Sequence, residues 1–141
     1  MAESIFPFFN DFIVEDKTTN YPLYTETAWD FERNIPIFEG GRPKLVTGDE
    51  AIKTWCYKAV VTPRFRYGIY SWDFGAELEK MIGRSYSPKV VKAEITRIIT
   101  ESLLINPYIR NVSEIDASFD NGHLNVDCVI ETIYGTVQLS V

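Results

Sequence analysis

The hydrophobic period changes once along this chain, and that change limits the folds open to it. Before residue 106, Val91, Ile95, Ile98 and Ser102 recur as one helical stripe, widened by Ile99 and Leu103. Lys89, Lys92, Glu94, Arg97 and Glu101 take most of the opposite face. Ser87 stands in the capping position, and Pro88 follows at the first helical position, where its missing N–H costs nothing. Asn106-Pro107 ends the helix. After residue 123 the period is two: Leu124, Val126, Cys128 and Ile130 alternate with Asn125, Asp127, Val129 and Glu131. Asn121-Gly122 is a hairpin signal and Tyr134-Gly135 a weaker one. The pattern predicts a three-stranded antiparallel meander over 112–119, 123–133 and 136–141. Helices and strands segregated in this way predict an α+β fold, with helices packed on a small antiparallel sheet.

Upstream, a first helix is expected from Thr47 or Asp49 to about Val61, with Ile52, Trp55, Cys56 and Ala59 on its buried face. Pro63 stops it, and a short helix is expected over 76–82, ended by Gly83. Short strands are read at 29–32 and 44–46, around a Gly40-Gly41 turn. Between the helices, "RFRYGIY" alternates, so Phe65, Tyr67 and Ile69 are expected on one face of a strand. Tyr70, Trp72 and Phe74 are then expected to alternate against the core, with Gly75 relieving a crowded turn. Residues 1–27 hold Phe6, Phe8, Phe9, Phe12 and Ile13 without a sustained period, broken by Pro7 and Pro22. They read as an extended N-terminal arm, and residues 28–141 as the domain proper.

A chain of 141 residues fits one domain with a real core. Its formal net charge of −6 disfavours nucleic acid and anionic membrane surfaces, both of which are gripped by Lys and Arg. Arg64 and Arg66 interleave with aromatics, yet structural pairing explains that stretch better than single-stranded nucleic acid. Glu3 and Asp11 break the pattern of a secretory signal, and no run approaches the ~20 apolar residues of a membrane span. A soluble protein made in a cytoplasm is expected. Cys56 and Cys128 lie far apart on apolar faces, and buried free thiols fit them better than a disulfide.

Catalytic chemistry is thinly represented. His123, the one histidine, follows the Asn-Gly turn without a partner for nucleophilic or metal chemistry. A carboxylate pair of Asp73 with Glu77 or Glu79 is the one route to a hydrolase. As helix-entrance acids they have a simpler role, because nothing nearby supplies the desolvation that a general acid needs. No catalytic, cofactor-binding or metal-binding residue is assigned. The final strand, Thr136, Val137, Gln138, Leu139, Ser140 and Val141, carries neither charge nor Pro to blunt an edge. It is either a sheet edge or a pairing surface for another chain.

"AWDFE" at 28–32, "VTGDEAIKTWCYKAVVTPRFRYGIYSWDFGAELEKMIG" at 46–83 and "LLINPYIRNV" at the helix end together resemble a known family. It is the baseplate wedge and sheath initiator family of contractile phage tails, in the variant of PBSX-type prophages. The resemblance covers roughly residues 20–141, and the R-x-x-Y-x-I-Y-S-W-D-[YF]-G core is its most specific motif. It implies a structural, non-enzymatic component of a virion baseplate, assembled in the host bacterial cytoplasm. Its implied partners are tail sheath subunits, other wedge proteins and the tail tube or hub, with roughly six copies around the axis. It further implies that the protein pairs strands with the first sheath ring and so templates sheath assembly. T-even-type members carry a Glu-Pro-Arg wedge-docking motif where this chain has Asn106, Pro107 and Tyr108. Both charges are replaced, and a contact through Asn106, Pro107, Tyr108 and Arg110 is expected instead. The lysozyme label borne by some relatives remains the alternative, a cell-wall hydrolase using Asp73.

Overall fold

A computed structural model describes residues 20–81 and 86–141. The α+β expectation holds: two helices pack on one face of a three-stranded meander, and short hairpins precede them. The N-terminal part of the expected arm, residues 1–19, lies outside the described residues, as do Ile82 and Gly83.

Residues 25–47 form nested antiparallel ladders. β1 (Thr25–Thr27) pairs with β6 (Leu45–Thr47). Between them, β2 (Trp29–Asp30) pairs with β3 (Ile35–Pro36), and β4 (Phe38–Glu39) with β5 (Arg42–Pro43). Asp30 ends the anticipated strand early, because its Oδ1 accepts the N–H groups of Glu32 and Arg33, each at 3.0 Å, and forms a turn. The Gly40-Gly41 turn is as expected, with φ of 58° and 76°.

Helix α1 (Gly48–Val61) and helix α2 (Pro88–Leu104) lie where the helical period places them. At α2, Ser87 Oγ accepts the Val90 N–H at 3.5 Å, with Pro88 in the first turn. At α1, Thr47 takes the extended capping conformation but its side chain makes no cap bond. The core joins Ile52, Cys56 and Val60 of α1 to Ile95, Ile99 and Leu103 of α2. Against them lie Val126, Cys128 and Ile130 of β8 (His123–Thr132) and Leu139 of β9 (Gly135–Ser140). α2 covers β7 (Ile109–Asp120), and α1 lies against β9. Trp55 is half-buried rather than buried, and packs edge-on against Phe74 at 5.8 Å. β7 is longer than expected and carries a bulge between Ser113 and Asp116, where Glu114 has φ 51°.

The strand expected through "RFRYGIY" does not form. Residues 64–75 make a closed loop whose ends meet. The Ala76 N–H donates to the Thr62 carbonyl at 3.0 Å, and the Arg64 N–H to the Ala76 carbonyl at 3.3 Å. A lone parallel bridge, Pro63 to Ala76, takes the place of a ladder. Alternation needs a neighbouring strand to have meaning, and none of the described residues supplies one. Phe65, with φ 67°, also leaves extended geometry altogether. The loop is an Ω-loop, packed by its own rings. Phe65 lies on Trp72 at 4.5 Å, Tyr70 stacks on Phe74 at 4.5 Å, and the Arg64 guanidinium sits over Phe65. Tyr70 and Trp72 therefore face outward, against the expectation that they line the core; Phe74 alone turns partly inward. The expected role of Gly75 holds: at φ 103°, a Cβ there would meet Thr62 O at 2.7 Å. The helix expected at 76–82 is a single 3-10 turn, Leu78–Met81, anchored by buried Met81.

Candidate functional site

The C-terminal meander ends in an open edge. β9 is last in the order β7-β8-β9 and pairs on one side alone. Val141 exchanges both backbone bonds with Val126, at 2.8 and 2.9 Å. Antiparallel geometry then turns the backbone groups of Leu139 and Val137 toward β8 as well. Those of Thr136, Gln138 and Ser140 point outward, and no backbone group among the described residues pairs with them. The side chains follow the opposite logic. Val137 (9% exposed) and Leu139 (2% exposed) face the core and clamp the strand, while Thr136, Gln138 and Ser140 are exposed. Ser140 Oγ donates to Asp127 Oδ1 at 2.6 Å, which steadies the end of the strand. Beside the edge, Asp49, Glu50 and Lys53 of α1 and Thr136, Val137 and Gln138 bound an open recess of about 300 Å³.

The four residues at the end of α2 divide into two kinds. Asn106 and Tyr108 are buried, whereas Pro107 and Arg110 are exposed. Asn106 Oδ1 accepts the Tyr108 N–H at 3.0 Å and turns the chain from helix to strand. Asn106 Nδ2 donates to the Tyr24 hydroxyl at 3.4 Å, and the Tyr108 hydroxyl to the Pro22 carbonyl at 2.7 Å. Tyr21 and Tyr24 pack on Tyr108 at 4.9 and 4.7 Å, so this knot straps residues 21–24 to the domain. Burial pushes the Tyr24 hydroxyl up to about 12, with the Asn106 hydrogen bond acting the other way.

The carboxylates considered for catalysis each face a cation. Asp73 lies 3.6 Å from Arg64, Glu79 2.6 Å from Arg66, and Glu77 2.6 Å from Lys80. Asp73 pairs across the Ω-loop instead of entering a helix N-terminus. A catalytic pair needs two carboxyl groups free to flank one scissile bond, and here each is engaged in its own ion pair. His123 is exposed at the start of β8, opposite Asp120. Among the described residues no group of three acidic, His or Cys side chains has the spacing of a metal site.

Cys56 and Cys128 are buried free thiols. Burial raises both; the proximity of Cys128 adds to the shift at Cys56, and Cys128 reaches about 11, helped by the Asp127 charge. At pH 8 both stay protonated and inaccessible. A thiol reagent such as DTNB is expected to leave the native protein unlabelled over minutes and to titrate two thiols after guanidinium denaturation. Rapid native labelling would contradict the packing of α1 on β8.

The Ω-loop is the surface that sequence patterning misread. Its clue was punctuation: Pro63, Gly68 and Gly75 interrupt a stretch too aromatic for an ordinary loop. Residues 25–135 match the family model described as the contractile injection system sheath initiator. The chain belongs to the sheath initiator family. A relative, the phage-like element PBSX protein XkdS of Bacillus subtilis (strain 168), is 34% identical over 105 residues, 72% of this chain and 74% of that protein. The sheath initiator is thus a structural component of a contractile, phage-like tail particle. Its matched region takes in both helices, the Ω-loop and most of the meander.

Proposed function

We propose that this sheath initiator sits in the baseplate around the tail tube, joins the wedge to the first sheath ring, and templates sheath growth by strand addition on β9. The observation that carries this reading is the outward row of N–H and C=O groups at Thr136, Gln138 and Ser140. An incoming strand satisfies that row, extends the sheet, and sets its inward side chains beside α1, where the recess offers room. Affinity comes from main-chain bonds. Register comes from the position of the recess and from the core residues Val137, Leu139 and Val141, which hold β9 still. The wedge contact falls to exposed Pro107 and Arg110, while Asn106 and Tyr108 hold the local backbone. Roughly six copies then form a ring that matches the sheath's symmetry.

The test is assembly. Purified tail tubes carrying baseplates with this protein are expected to nucleate sheath from added subunits, seen by electron microscopy. Baseplates lacking it are expected to give bare tubes; equal sheathing without it would end the proposal. The hydrolase alternative predicts clearing of peptidoglycan that Asp73→Asn abolishes. With each carboxylate beside a cation, no clearing is expected at any acid pH.

A further inference from the structure

The Ω-loop leaves an unusual amount of apolar surface in water. Ile69 is 89% exposed, Trp72 75%, Tyr67 51% and Tyr70 45%. With side chains of about 150–250 Å² for the aromatic rings, the three that line one groove, Tyr67, Ile69 and Tyr70, together expose roughly 350 Å². That is as much as the largest patch of a typical monomer, and such patches mark interaction sites. The patch borders a groove of about 750 Å³. The loop supplies Tyr67, Ile69 and Tyr70 to its lining, and the hairpin and α1 supply Trp29, Trp55 and Lys58. Phe65, at φ 67°, holds the loop in a conformation that is uncommon for a bulky residue.

Three observations select the occupant. The first is charge. Lys58 Nζ is bound to Glu26 Oε1 at 2.9 Å and lies over the Trp29 ring, while Arg64, Arg66 and Lys80 each pair with an acid. The groove's charged lining residues, Lys58 and Glu26, neutralise each other, so a charged partner gains nothing there. The second is the donors. The Tyr67 and Tyr70 hydroxyls have no hydrogen-bond partner among the described residues, whereas the Trp29 indole N–H is already given to Asn34. Free donors on an aromatic wall suit a segment whose own carbonyls are unpaired. A helix satisfies its carbonyls internally; a polyproline II segment leaves all of them to its surroundings. The third is area. Roughly 350 Å² falls short of the ≈ 800 Å² per partner that a standard stable interface buries, which argues against a second copy face to face.

We propose that this groove is a second docking site, separate from the β9 edge, for an uncharged, proline-containing segment of a partner protein in polyproline II conformation. Proline rings pack on Tyr67, Tyr70 and Ile69, and the two phenols donate to the segment's carbonyls. The site lies at the C-terminal end of α1, and the β9 recess beside its N-terminal half. On α1 the groove is lined by Trp55, Lys58 and Val61 and the recess by Asp49, Glu50 and Lys53, so the two sites take successive stretches of one helix.

The experiment titrates the full chain with capped decaproline, read by tryptophan fluorescence. Saturable binding is expected. The double variant Tyr67→Phe/Tyr70→Phe keeps the rings and removes the donors, and is expected to weaken binding about tenfold. Ile69→Asp, which puts a charge into the groove at a position that is 89% exposed, is expected to abolish it with the thermal midpoint unchanged. Gln138→Pro is expected to bind decaproline normally, which separates this site from strand addition. Absence of saturation, or equal binding by the double variant, overturns the proposal. So does tighter binding of a capped amphipathic helical peptide, or self-association of the free chain that Ile69→Asp removes.

Discussion

Gln138→Pro is expected to give a folded sheath initiator on which no sheath grows. Gln138 lies between Val137 and Leu139, whose backbone groups bond to β8, so its own N–H points away from the sheet. Proline there removes no internal hydrogen bond and is tolerated on an edge strand. The cost to folding is expected to be about 1 kcal/mol or less, as for an ordinary surface substitution. For an incoming strand the same change is severe. It deletes the central donor of three and places a ring where the partner's carbonyl must approach. Sheathed tubes are expected to fall to the level seen without the protein, while Gln138→Ala, which keeps the N–H, supports normal assembly. A folded Gln138→Pro protein that still nucleates sheath would move the contact off β9. Truncation after Gly135 is a poorer test, because it removes Leu139 from the core and unfolds the domain along with the edge.

Gly75→Ala is expected to destabilise the protein by about 3 kcal/mol, from strain and overpacking together. At φ 103° the backbone already disfavours a side chain. The new Cβ would meet Thr62 O at 2.7 Å and the Arg64 Cα and N at 3.0 Å. All three are backbone atoms, so no side-chain rotation relieves the clash. Relief requires opening the Thr62–Ala76 closure that ties the Ω-loop to the end of α1. The urea midpoint is expected to fall at unchanged slope, and the thermal midpoint by about 10 °C for a chain of this size. A change under about 1 kcal/mol would mean that the loop closes softly and that its ring stack is not held in place.

The elements legible in the sequence are those whose causes are near neighbours. The stripe Val91, Ile95, Ile98 and Ser102, with Ser87 and Pro88 at its start, predicts α2 because caps and helical faces are set within four residues. Asn121-Gly122, with φ of 49° and 79°, sets a two-residue turn that fixes the register of β7 on β8. The family was legible for a related reason: the words that carry it, including the Ω-loop core, are contiguous. Site residues were harder. Asn106 and Tyr108 look like a surface corner after a helix, yet Pro22 and Tyr24, more than 80 residues away, cover them. "RFRYGIY" has the alternation of a strand, yet no strand lies beside it among the described residues.

Local chemistry in the sequence therefore determined where helices start and stop, where the meander turns, and which faces are apolar. The tertiary structure decided which of those features remain available to another protein. Whether Gln138 presents its N–H outward depends on which strand β9 pairs with. Whether Tyr70 and Trp72 meet the core or water depends on a closure between Thr62 and Ala76. Edges and exposed rings are defined by what fails to cover them, and covering is a long-range event that no window of neighbouring residues contains.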